Sequence, residues 1–151
     1  MATCDNRSTG GWATDFTLYT VMPRYPGGVA SNSFLAVLLK HETQHLADKS
    51  KLPDLRPWEL EYRAKLAELW AADSVSAACR LGTFIDSQSD DPPLAHPLSQ
   101  RQGAFGLTGL LGASPLGVDG AALKNARKDV LAQDTAARCG PRPSVDAISP
   151  R

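Results

Sequence analysis

The sequence predicts an α+β fold that is mostly helical. Three features point there: an alternating, β-branched and aromatic segment at 12–22, two capped helical segments around a short proline-containing break, and a third capped helix near the C-terminal end. With 151 residues, the chain has the length of one ordinary domain. We expect that domain to span 12–139, with flexible termini at 1–11 and 140–151.

Within 12–22, Phe16, Leu18, Thr20 and Met22 fall on one face of a strand, and Thr17, Tyr19 and Val21 on the other. Pro23 and then Pro26-Gly27-Gly28 end it in a turn. Ser31, Asn32 and Ser33 offer N-caps to a helix over 32–48. Its first two turns, beginning Phe34-Leu35-Ala36-Val37-Leu38-Leu39, are apolar nearly all round, which predicts burial.

The break at 49–53 leads to a second helix over 57–81, with Pro57 at its first position and Gly82 as its stop. Glu59 with Arg63, and Glu61 with Lys65, stand four residues apart in the favourable order. Residues 83–103 read as loop, and 104–120 as a flexible apolar stretch with five glycines. Asp119 caps a third helix to about 138, whose stripe of Leu123, Ala126, Val130 and Ala137 faces the core and whose stop is Gly140.

Sixteen basic residues balance sixteen acidic ones, so no global charge favours a polyanion, and no basic, aromatic-interleaved stretch favours nucleic acid. The glycines fit neither phosphate-loop nor dinucleotide spacing. Cys4, Cys79 and Cys139 are odd in number and far apart, which argues against a disulfide framework or a cysteine metal site. No apolar run is long enough to span a bilayer and no signal peptide is visible, so a cytoplasmic protein is expected.

The acids are unevenly placed. Asp is scattered from Asp5 to Asp146, but all four Glu (Glu42, Glu59, Glu61 and Glu68) fall in one short window with two of the three histidines. That window begins with His41-Glu42-Thr43-Gln44-His45, an HExxH motif on a predicted helix. Side chains at i and i+4 leave a helix on the same face, so both imidazoles can bind one Zn²⁺ while the Glu between them takes a proton from water. If the two helices pack antiparallel, Glu61 lies level with His45 and is the best third ligand. Glu68 lies roughly 10 Å further along the axis, and Glu59 points about 200° away from Glu61. Glu59 therefore reads as a surface salt-bridge residue.

The runs Leu39-Lys40-His41-Glu42-Thr43-Gln44-His45 and Glu59-Leu60-Glu61-Tyr62-Arg63-Ala64-Lys65 together resemble the zincin metallopeptidases, and within them the Glu-liganded, thermolysin-like branch. Glu61 followed by Ala64 fits that branch, and no third His follows at metzincin spacing. The resemblance implies a minimal zincin-like domain: an antiparallel active-site helix hairpin with one or two strands before it, of which the last lies beside the cleft.

It further implies one Zn²⁺ on His41, His45 and Glu61, Glu42 as general base, and hydrolysis of a peptide or protein substrate. A donor is then wanted for the developing oxyanion. His96, in the segment Leu94-Ala95-His96-Pro97, is the candidate, with Tyr62 and Tyr19 weaker. Lys65 stands where the family places an orienting Asp, so that carboxylate must come from Asp48 or Glu68. The alternatives are a catalytically degenerate zincin-like domain that binds metal or a partner, and a helical domain in which the motif is accidental.

Overall fold

The computed structural model of the chain, which describes residues 10–14, 17–91 and 93–139, turns the expected strand into a hairpin. β1 (Gly11–Ala13) and β2 (Leu18–Thr20) pair antiparallel, with Gly11 opposite Thr20, Trp12 opposite Tyr19 and Ala13 opposite Leu18. Pairing gives these short strands the backbone partners that a lone strand would lack. The Trp12 and Tyr19 rings stack across the pair at 5.1 Å. Gly11 lets the hairpin lie close to the helix behind it: a Cβ there would stand 2.3 Å from the Tyr19 carbonyl oxygen and 2.7 Å from Leu38 Cδ1. Gly10 and Gly11 thus belong to the fold, whereas the rest of the expected flexible termini, and Phe16, lie outside the described residues.

After a 3₁₀ turn at Met22–Arg24 the chain enters the motif helix. Ser31 Oγ accepts the Phe34 N–H at 3.1 Å, the capping expected there. Residues Ser33–Lys40 wind as a π-helix that passes directly into α1 (His41–Lys51). Its burial is one-sided, contrary to expectation: Phe34, Ala36 and Leu38 are buried, but Leu35 and Leu39 are exposed.

α2 (Pro57–Ala71) starts at the expected proline but ends ten residues early. The chain extends at Ala72, and the Asp73 carboxylate accepts the Ser76 N–H at 2.8 Å to open α3 (Ser74–Asp86). Gly82, expected as a stop, sits inside α3. α4 (Ala95–Leu111) occupies the segment expected as loop and flexible stretch. Pro97 is its third residue, where backbone N–H groups have no intrahelical partner to lose, and Gly112 closes it in the left-handed conformation.

α5 (Gly120–Cys139) begins as expected, with the Asp119 carboxylate accepting the N–H groups of Ala121 and Ala122 at 2.9 and 3.2 Å. Leu123, Ala126 and Val130 are buried, but Ala137 is exposed and Arg127 joins the buried face. Arg127 Nε donates to the Leu123 carbonyl at 2.8 Å and Nη1 to that of Leu69, placing a cation at the carbonyl end of α2. The expected stop at Gly140 lies outside the described residues.

The described residues therefore form five α-helices and a two-stranded antiparallel sheet, the mostly helical α+β architecture read from the sequence. α2 is the central helix. Its Tyr62, Leu66 and Leu69 pack against Leu81 and Phe84 of α3, Leu107 of α4, and Leu123 and Val130 of α5. Every residue from 62 to 69 is buried, so Arg63, Lys65 and Glu68 need partners inside the protein. No helix among the described residues is long and apolar enough to cross a membrane. The expected set of isolated thiols is corrected at one position: Cys79 is disulfide-bonded, while Cys139 is free and exposed.

Candidate metal centre

α1 and α2 run antiparallel, since His41 meets Glu68 while His45, one turn later, meets Glu61. The i, i+4 spacing places both imidazoles on the face of α1 turned toward α2, with ring centroids 4.7 Å apart. The two Nε2 atoms are 3.1 Å apart. Glu61 closes the triangle, Oε1 standing 3.3 Å from His45 Nε2 and Oε2 3.6 Å from His41 Nε2. Four ligands at about 2.0–2.1 Å from a tetrahedral zinc lie about 3.3 Å from one another. The three measured edges bracket that value, so the residues fit a zinc-sized ion. Among the described residues they are also the group of His, Cys, Asp and Glu side chains compact enough for one.

The charges around the triangle are arranged to keep the carboxylates ionised. Burial pushes the Glu61 carboxyl up, but the imidazoles of His45, His96 and His41 outweigh it and hold it well below the usual carboxylate range. Lys65 Nζ stands 4.0 Å from Glu61 Oε2, the helical pair read from the sequence. Glu68 is deeply buried, and there too burial is outweighed, here by His41 and Arg80.

Glu68 Oε2 lies 3.2 Å from His41 Nδ1 and Oε1 2.6 Å from Arg80 Nη1. An ionised carboxylate can only accept, so His41 Nδ1 carries the proton and Nε2 presents its lone pair toward His45 and Glu61. Of Asp48 and Glu68, Glu68 is therefore the carboxylate that faces His41. Asp48 faces elsewhere, accepting from Arg63 Nε and Gln44 Nε2, each at 2.9 Å. His45 has no such support, because its buried Nδ1 has no hydrogen-bond partner.

A cleft of about 400 Å³ opens over the triangle. Gly10–Ala13 form one wall, and His41, Glu42, His45 and Glu61 the floor. Glu42 differs from the other two carboxylates here: it makes no hydrogen bond or ion pair with the described residues. His96 is not on a loop as expected but is the second residue of α4. Its Nδ1 reaches Glu61 Oε2 at 3.1 Å with the side chain 65% exposed, so it stands at the rim without joining the group of three.

Neither of the weaker tyrosine candidates lines the cleft. Tyr62 is in the core, its phenol pushed by burial up to about 12, and Tyr19 is stacked on the hairpin. Glu59 and Arg63 do not pair, contrary to their helical spacing. Glu59 is buried and accepts from Arg56 and Arg138, whereas Arg63 bonds Asp48, Asp134 and Thr135.

Sequence reasoning missed two cleft residues. Tyr25 follows a turn, and Arg80, expected in the last turn of the second helix, lies instead on the separate helix α3, which turns it into the cleft. Tyr25 is buried with its hydroxyl unpartnered.

The fold and site define a helical α+β domain with a three-residue candidate metal centre at the base of a cleft. Comparison with protein-family models, with curated proteins and with solved structures gave no match for this chain.

Proposed function

We propose that the chain is a zinc-dependent hydrolase of peptide bonds, built as a minimal zincin-like domain. The observation that carries the reading is the convergence of His41, His45 and Glu61 from two antiparallel helices to the edge lengths of a tetrahedral zinc site. Any one of these edges is also a hydrogen-bond or ion-pair length, and it is the closure of all three into one triangle that supports an ion. The family resemblance of the HExxH run and the downstream Glu61 points the same way.

Zinc, when bound, supplies Lewis-acid polarisation of the scissile carbonyl and lowers the pKa of water toward neutrality. The chain's own residues supply the rest. Glu68 fixes the tautomer and orientation of His41. Glu42, the cleft carboxylate without a cation, is free to take a proton from the attacking water and deliver it to the leaving amine. His96, at the rim beside Glu61, is placed to donate to the carbonyl oxygen as charge develops there. The hairpin wall at Gly10–Ala13 borders the cleft where an extended peptide would lie. The disulfide at Cys79 favours an oxidising compartment over the cytoplasm expected from the N-terminal residues.

The test compares the zinc-loaded wild type with Glu42→Gln on an unstructured protein such as casein. The substitution should leave zinc bound and lower the rate by about 10²–10⁴-fold. Equal rates would remove Glu42 from the reaction. Zinc uptake with no cleavage of any peptide by the wild type would favour the degenerate, metal-binding domain.

A further inference from the structure

Arg80 enters the cleft from α3, outside the motif helices. Its Nη1 stands 2.6 Å from Glu68 Oε1 as an ion pair, and the side chain is 24% exposed. The guanidinium makes no hydrogen bond to the described residues, and the Glu68 oxygen it faces accepts none. A guanidinium that served only to neutralise Glu68 would be expected to use both arms of its fork, because the bidentate pair is the stronger one. Here Glu68 turns its other oxygen to His41, and part of the Arg80 fork is left over at the cleft wall.

The charge balance asks for an anion as well. Glu42, Glu61 and Glu68 face Arg80 and Lys65. With a dication on the triangle these five side chains and the ion would together carry one net positive charge. A neutral peptide carbonyl cannot cancel that charge, whereas a carboxylate can, and it matches the two free donor positions of the fork.

We infer that Arg80 is a specificity-determining residue that binds a substrate carboxylate beside the scissile bond, so that the substrate class is peptides carrying a carboxylate at that place. The inference rests on the hydrolase reading for its peptide substrate, but the recognition belongs to Arg80 and not to the ion. The carboxylate has two sources, the terminal α-carboxylate of the peptide or an acidic side chain.

The experiment measures binding rather than turnover, in the Glu42→Gln protein with and without zinc. The probes are N-acetyl-Gly-Leu, its C-terminal amide and N-acetyl-Gly-Glu-amide. A carboxylate ligand should bind about 10-fold or more tightly than the neutral amide. Tight binding of N-acetyl-Gly-Leu identifies the terminal carboxylate, and tight binding of N-acetyl-Gly-Glu-amide the side chain. Arg80→Lys, which keeps a cation beside Glu68 but removes the fork, should bring acid and amide to within about threefold.

Equal binding of acid and amide by the parent protein overturns the inference, and so does an acid preference that survives Arg80→Lys. If that variant fails to fold, the parent's acid-to-amide ratio still decides. A persistent preference in a protein that takes up no zinc would sink the hydrolase reading alone. Equal binding of acid and amide by a protein that takes up zinc, with casein cleaved by the wild type, would sink the Arg80 inference alone.

Discussion

α2 carries two buried charged faces that resemble each other in composition and differ in how they are closed. On one, Arg63 is held by Asp48, Asp134 and Thr135, while Arg138 bonds both Asp134 and Glu59. Charge meets charge in a chain of alternating contacts, Asp48–Arg63–Asp134–Arg138–Glu59, linking α1, α2 and α5. On the other, Glu61 and the two imidazoles converge on a common point beneath a cleft, His45 Nδ1 lacks a partner and Glu42 lacks a cation. Burial of charge is thus no signal of function by itself. A network that satisfies its own members holds helices together, whereas one that leaves lone pairs converging has capacity for something else.

The largest effect is expected from Arg63→Met, in the closed network. It strands Asp48 as a buried carboxylate without a cation and should cost about 3–5 kcal/mol in urea denaturation. Zinc affinity of the folded protein should not change. A fall in affinity at unaltered stability would mean that the closed network belongs to the site.

A smaller effect is expected on the open side. Glu68→Gln removes the charged acceptor from His41 Nδ1 and should weaken zinc binding about 10–100-fold, measured by competition with a chelator. Unchanged affinity would reduce Glu68 to a partner of Arg80.

The smallest effect is a pH dependence in the closed network. Burial pushes the Glu59 carboxyl up, but hydrogen bonds from Arg56 and Arg138 outweigh it and hold it at about 2, against an ordinary value of 4.5. A depressed carboxyl adds stability above its unfolded value and loses it as pH falls through its folded value. Between about pH 4.5 and 2, wild type should therefore lose stability more steeply than Glu59→Gln. Parallel urea midpoints for the two proteins across that window would show that Glu59 is not held by these contacts.

The site was more legible in the sequence than the fold around it. His41, His45 and Glu61 follow from helical periodicity and one antiparallel packing step, and both inputs are local. Pro57 and Asp119 mark helix starts for the same reason. What failed depended on distant partners or on ambiguous punctuation. Glu59 and Arg63 have favourable helical spacing, yet each finds a partner on α5, which only the tertiary fold brings near. Asp73 can cap a helix start or sit within one, and the burial of Ala72 and Ala77 against Ala36 resolves it as a start. Pro97 reads as a breaker until its place in a first turn is known. Glu68 was legible as acidic and near, but its orientation toward His41 required coordinates.

Zinc content after supplementation and desalting decides whether the open face of α2 holds a metal ion. One zinc per chain is expected in the wild type and in Glu59→Ala, and a loss of affinity of more than about 100-fold in Glu61→Ala. A folded wild type that retains no zinc, or a Glu61→Ala variant that keeps it while Glu59→Ala loses it, would show that His41, His45 and Glu61 do not hold the ion.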